Sequence, residues 1–278
     1  MQHSVPSAIH PTAFIERGAE LGSGVKIGPF CHVGPHVRLG DNVELMSHVV
    51  VLGDTSIGEG SRVFPQAVLG AEPQNTAHGG SRTKLVIGRG NTIREGVTMH
   101  LGTDNARGET TVGDNCMFLA YSHVAHDCTL GNHVTFANNV MIGGHTDVGD
   151  RVIIGGGAGV HQFCRIGHHA FIGGLAAVQA DVIPFGMIMG NRGYLAGLNL
   201  VGMKRSGMAK NEINALRRAF KNLFSGEMGS LRENAGKLIT ENPGSEAIRD
   251  IADFILMDSK RKFMTPTSSL NGRLEAGD

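Results

Sequence analysis

From Ile9 onward a branched aliphatic residue returns at every sixth position: Ile9, Ile15, Leu21, Ile27, Val33, Leu39, Leu45, Val51, Ile57, Val63 and Leu69. The register resumes at Ile87, Ile93 and Met99, breaks once more, and then runs from Val112 through Phe118, Val124, Leu130, Phe136, Ile142, Val148, Ile154, Val160, Ile166 and Ile172 to Val178. A period of six is neither the 3.6 of an amphipathic helix nor the alternation of a half-buried strand. It points instead to a repeat architecture in which each unit touches only its neighbours.

The pattern matches parallel β-helices built from hexapeptides, in which each hexapeptide makes one side of a triangular coil and three make a turn. The anchor then points inward. Four residues later comes a small or β-branched residue, as at Ala13, Val25, Val37, Ala67, Val140 and Thr146, suited to a place near a corner. Glycine often follows the anchor, as at Gly22, Gly28 and Gly143, and is expected there to supply the backbone freedom of a turn. Composition agrees, with 41 glycines and 5% aromatic residues in 278. Cys31, Cys116, Cys128 and Cys164 all fill the small slot, so they read as buried, inert spacers rather than disulfide partners, zinc ligands or nucleophiles.

The β-helix is assigned to residues 1–195. Two polar segments without anchors, at about 70–85 and 102–110, are expected to be loops extruded from the coil wall, where sites are often carried. Residues 196–278 read as a small α-helical domain. Ile213, Leu216, Phe220 and Leu223 make one apolar stripe, Ser230 and Glu233 a capping box, and Ser245 a second helix start. A polar tail, RKFMTPTSSLNGRLEAGD, carries proline and charge that favour disorder.

With 25 basic and 25 acidic residues the formal net charge is zero, so neither nucleic acid nor a membrane surface is indicated as a partner. The opening MQHSVPSAIHP lacks the pattern of a secretory leader, and no apolar run is long enough to span a bilayer, so a cytoplasmic location is expected.

Residues 18 apart stack on one face of such a coil. The hexapeptides VAHDCT, IGGHTD and VHQFCR, begun by Val124, Ile142 and Val160, therefore lie side by side. If the second loop extrudes about seven residues, Met99 stacks on Val124, and His100, His123, His126, His145 and His161 form a column on one wall. A lone histidine on a narrow polar coil needs no function; a column of titratable groups marks a candidate site. Two chemistries suit it. A neutral imidazole oriented by a carboxylate, with Asp127 adjacent to His126, is a general base for activating a hydroxyl, and the unobstructed backbone at Gly144 could donate to an oxyanion. Alternatively, three imidazoles could bind zinc.

HVAHDC at 123–128, VTMH at 97–100, IGGH at 142–145, AGVHQF at 158–163 and GLNLVGMKRSG before the helices together resemble the UDP-N-acetylglucosamine 3-O-acyltransferase family. The resemblance covers nearly the whole chain. It implies a homotrimer of left-handed parallel β-helices with active sites between subunits. Its activity would be transfer of a 3-hydroxyacyl chain from acyl carrier protein to the glucosamine 3-position of UDP-N-acetylglucosamine, the first step of lipid A biosynthesis. No cofactor is implied beyond the phosphopantetheine that carries the donor, and no metal. By that similarity His126 is the base, Asp127 its partner and Gly144 the oxyanion donor. His123, His145, His161 and Gln162 would position substrate, with His100 in the same cleft. Asn199 and Arg205 would meet the nucleotide end, and Gly174 would leave room for a longer acyl chain. Lys204, Arg205, Lys210, Arg217, Arg218 and Lys221 could meet the acidic carrier. The sequence departs from the family at Asn75, Ala77, Val201 and Ser206; Asn75 can still hydrogen-bond a sugar hydroxyl. These departures leave a 3-amino sugar as an alternative acceptor. An acetyl-CoA-dependent hexapeptide acetyltransferase, a zinc lyase of carbonic anhydrase type and a purely structural solenoid are the other readings. The N-acyltransferase acting later in the pathway is disfavoured, because it would be expected to carry an extra N-terminal domain.

Overall fold

The computed structural model describes residues 8–225 and 229–267. Its anchors do what a period of six requires: from Ile27 to Val178 every one is at most 4% exposed. Withdrawing each such side chain from water contributes roughly 1.5–3 kcal/mol, and the stacked anchors form one continuous core along the coil axis. The short strands they sit on assemble into three sheets of eleven, nine and eight strands, one for each side of the triangle. Each strand pairs in parallel with the one a coil away, as in Phe118↔Phe136 and Ile142↔Val160. The result is a left-handed parallel β-helix.

The role expected of the glycine after the anchor is corrected. Gly28 and Gly143 do not have positive φ. A Cβ on Gly143 would lie 2.7 Å from the Gln162 nitrogen, and one on Gly28 would lie 2.9 Å from the Met46 carbonyl carbon. Glycine is there because the next coil's backbone passes too close for any side chain. The left-handed conformation falls two residues later, on Phe30 (φ 58°), His48 (59°), Tyr121 (60°), Asp127 (58°) and His145 (60°). Each costs about 1–2 kcal/mol, against which the coil sets the burial of its anchors. The four cysteines are buried and free, and burial pushes the Cys128 and Cys164 thiols up to about 12.

Strands Val68–Ala71 and Lys84–Ile87 flank the first excursion from the wall, and strands Thr98–His100 and Glu109–Val112 the second. The first is narrower than its polar composition suggests, because Lys84–Ile87 pairs with Asp54–Ile57 and buries Leu85 completely. Across the second, Thr98 pairs with His123 and Met99 with Val124, the register that brings His100 onto the histidine wall.

At its far end the coil closes with an antiparallel hairpin, Gly186–Met189 with Tyr194–Leu198. Among the described residues four helices follow: α1 Leu200–Arg205, α2 Lys210–Phe224, α3 Leu231–Glu241 and α4 Glu246–Leu256. The α2 stripe of Ile213, Leu216, Phe220 and Leu223 is buried. Ser230 and Glu233 form a reciprocal capping box on α3, and Ser245 caps α4. No described helix is long and apolar enough to cross a membrane. The start of the polar tail does not behave as its composition suggests. Asp181 donates its N–H to Lys262 O (2.8 Å), Met264 N donates to Asp181 O (2.8 Å) and Leu195 N to Thr265 O (3.1 Å), so residues 259–265 form a strap across the coil. Residues 268–278 lie outside the described part.

Candidate active site

The left-handed corner holds Asp127, His145 and Phe163 one above another, and the position before it holds His126, Gly144 and Gln162. The His126 ring lies over Gly144. A Cβ there would come within 2.6 Å of His126 Cε1 and 2.7 Å of Nε2, so only glycine leaves the ring its place. His126 Nδ1 is 2.8 Å from Asp127 Oδ2. A carboxylate only accepts, so Nδ1 carries a proton, and in the neutral ring it is Nε2 that has the lone pair.

The second loop fixes that carboxylate. Thr103 donates from its N–H (3.1 Å to Oδ1) and its hydroxyl (2.7 Å to Oδ2), and Gly108 N donates at 3.1 Å. Asp127 is fully buried; burial alone would raise its pKa, but the Thr103 and His126 hydrogen bonds outweigh it and hold the group below the usual carboxylate range. Arg107 ties the loop to the wall through Asp127 O (3.1 Å), Asp147 (2.9 Å) and Thr129 Oγ1. The first loop is clipped to the second by Asp104, which accepts from Gly79 N (3.0 Å) and Ser81 N (3.2 Å) and is lowered to about 2 by those amides.

Burial lowers the pKa of three other imidazoles, those of His123, His100 and His145. Burial, reinforced by His100 and His126, depresses His123 to about 4, and Thr98 Oγ1 lies 2.7 Å from its Nδ1. Burial also lowers His100, whose ring meets His123 edge-on with centroids 4.9 Å apart. It lowers His145 too, despite Asp127 nearby, and that ring stacks on Phe163 at 4.4 Å. His126, His145 and Asp127 each offer a donor atom, all within 4.8 Å of one another, so the residue types of a metal site are also brought together.

An open groove of about 600 Å³ runs along this wall. His123, His126, Gly144, His161 and Gln162 line it, while His100, Asp127 and His145 stand behind or beside it. Among the described residues the Gly144 N–H donates to no protein acceptor. Gln74 and Gln179 also line the groove and were not singled out from the sequence. Gln179 was within reach, since it continues the 18-residue column of Ala125, Gly143 and His161. Gln74 carries no such signal. Asn75, next to it, spends its side-chain oxygen on Ala77 N (2.9 Å) and does not line the groove. Gly174 sits at another corner, where an added Cβ would meet Gly156 O at 3.4 Å and Gly156 N at 4.0 Å.

Asn199 and Arg205 are not brought to this groove. They line a second cavity of about 400 Å³ on a different sheet, with Arg151, His169 and Phe171. Asn199 also caps α1, accepting from Gly202 N (2.9 Å) and donating to His169 O (2.9 Å).

The left-handed coil of hexapeptides places the chain in the class of hexapeptide-repeat transferases. The family model for the bacterial transferase hexapeptide (six repeats) matches residues 18–53 and 109–144, and that for UDP-N-acetylglucosamine O-acyltransferase, domain 2, matches 181–264. The chain is 56% identical to the acyl-[acyl-carrier-protein]–UDP-N-acetylglucosamine O-acyltransferase of Rhizobium johnstonii, over 95% of this chain and 97% of that one. It is 53% identical to the protein of that name in Bartonella henselae, over 93% and 94%. The solved structure of UDP-N-acetylglucosamine acyltransferase from Campylobacter jejuni superposes with a TM-score of 0.87 at 40% identity, over 93% of this chain and all of that one. The chain belongs to the acyl-[acyl-carrier-protein]–UDP-N-acetylglucosamine O-acyltransferase family.

Proposed function

We propose that the protein transfers a 3-hydroxyacyl group from acyl carrier protein to the 3-hydroxyl of UDP-N-acetylglucosamine, the first step of lipid A biosynthesis, in the cytoplasm. The observation that carries the mechanism is the 2.8 Å contact between His126 Nδ1 and an Asp127 carboxylate held by Thr103 and Gly108. His126 Nε2 takes the proton of the sugar hydroxyl as its oxygen attacks the thioester carbonyl. The Gly144 N–H stabilises the resulting oxyanion. Collapse expels the phosphopantetheine thiolate, which takes the proton back from the His126 imidazolium, and Asp127 keeps the ring in one tautomer throughout. His123, His145, His161 and Gln162 would position the sugar and thioester, with His100 behind them. Asn75 would reach a sugar hydroxyl only by giving up its turn contact to Ala77.

Separation of Asn199 and Arg205 from the groove within one chain supports a homotrimer, in which the second cavity of one subunit would complete the groove of the next around the nucleotide. The absence of a side chain at Gly174 supports a longer acyl chain. The bases Lys204, Arg205, Lys210, Arg217, Arg218 and Lys221 would meet the acidic carrier, so carrier affinity should fall with added salt. The domain division at 195/196 belongs to this reading.

The test is transfer of a labelled 3-hydroxyacyl group to UDP-N-acetylglucosamine and to its 3-amino analogue, by wild type and His126→Ala, with metal content assayed on the same samples. The hydroxyl acceptor should prevail and the variant should lose at least about a hundredfold in kcat. Preference for the amine would move the acceptor assignment. No transfer, with stoichiometric zinc, would move the reading to the convergent His126, Asp127 and His145 set.

A further inference from the structure

Beyond Gln179 at the end of the groove the wall opens into a second hollow of about 700 Å³, in which Gln179 and Ala180 face the strap. Its charged side chains are Arg192, Lys260, Arg261 and Lys262, and no carboxylate lines it. Among the described residues none of these cations is paired with an acid. The acid nearest in sequence register, Asp181, is buried and already bound to Arg165 Nε (2.7 Å) and Ser259 Oγ (2.6 Å).

The cations are held in place rather than trailing in solvent. Asp181 clamps the strap through Ser259, Lys262 O and Met264 N. Arg261 donates from Nε to Gln162 O at 3.1 Å, its Nη2 lies 2.6 Å from His161 Nδ1, and the Lys260 ammonium sits 4.7 Å from the Phe163 ring centroid. The strap thus presents consecutive positive charges at the edge of the groove, touching two residues of its lining.

We propose that this hollow is an anion subsite for a phosphate ester, and that its occupant is the phosphodiester of the phosphopantetheine arm carrying the acyl group. This rests on the acyl-carrier reading of the groove. The spacing fits. Ala180 is three coils beyond His126 in the same column, roughly 14 Å at about 4.8 Å per coil. About thirteen bonds, two of them amides, separate the thioester sulfur of such an arm from its phosphorus, roughly 14–16 Å when extended with a peptide-like rise. A thioester at His126 and Gly144 therefore sets its phosphate beside Arg192 and Lys262, where charge-assisted contacts await it. The other phosphate source in the reaction is the diphosphate of the nucleotide sugar.

The experiment is calorimetric binding of phosphopantetheine, pantetheine and UDP to the full chain and to the double variant Arg192→Gln/Lys262→Gln, both exposed positions. Phosphopantetheine should bind the variant roughly tenfold more weakly, with pantetheine and UDP unchanged. Equal phosphopantetheine binding by the two proteins, or equal losses for phosphopantetheine and pantetheine, overturns the subsite. A loss confined to UDP assigns the hollow to the acceptor and overturns the donor. These readouts need no turnover, so a failure of acyl transfer itself would show separately, in the wild-type transfer assay.

Discussion

His126 and His168 occupy the same slot, two residues after their anchors Val124 and Ile166, and each is followed by a residue in the left-handed corner, Asp127 at φ 58° and His169 at φ 57°. Each also has a carboxylate partner. For His126 it is a fully buried one at 2.8 Å. For His168 it is Asp250, 3.3 Å away on α4, with a side chain 41% exposed. The repeat made both corners. Only one had a loop laid over it, and the donors of Thr103 and Gly108 are what keep a carboxylate charged and fixed in a buried place. The coil supplies position; the extrusion supplies chemistry.

The largest effect should separate the two corners outright. Asp127→Asn should cost about a hundredfold or more in kcat, and Asp250→Asn about twofold at most, both in the transfer assay; comparable losses would abolish the distinction. Next comes the loop's own part. Thr103→Val keeps the volume but removes the 2.7 Å hydroxyl contact to Asp127, and kcat should fall roughly tenfold with the KM for the sugar little changed.

A third expectation concerns acid. His123 has a folded pKa of about 4, below the ordinary value of about 6.5, so the unfolded chain binds its proton first. Its contribution to stability is intact above pH 6.5 and is lost as pH falls toward 4. Denaturant midpoints of His123→Gln should therefore change less over that window than those of wild type. The smallest effect is that of the clip between loops: Asp104→Ala should raise the KM for the sugar by about threefold through Gln74 and leave kcat nearly unchanged.

Much of this was legible because the repeat is local. Anchors such as Val124 and Phe136, the cysteine slots, the α2 stripe and the Ser230 cap all follow from spacing, and adding seven residues for the second loop was enough to stack Met99 on Val124. What escaped depends on contacts between residues far apart in the chain. Nothing in GTDNARGET announces that Thr103 will hold the carboxylate of Asp127, nor does RKFMTP announce a strap on Asp181. The closing hairpin lacks the period because it turns back on itself. The resemblance gives Asn199 to the nucleotide end; that its side chain also caps α1 was not read from the sequence.

The bare glycines after the anchors have one more consequence. With 2.7 Å between the Gln162 nitrogen and the place a methyl at Gly143 would fill, successive coils are in backbone contact with no side chain to cushion them. Cooperativity in such a stack is passed from each turn only to the next. One methyl group at such a seam would pry two turns apart without disturbing the packing inside either. The solenoid would then melt as two blocks, and because the histidine wall bridges the Gly143 seam, catalysis would vanish at the first of the two transitions.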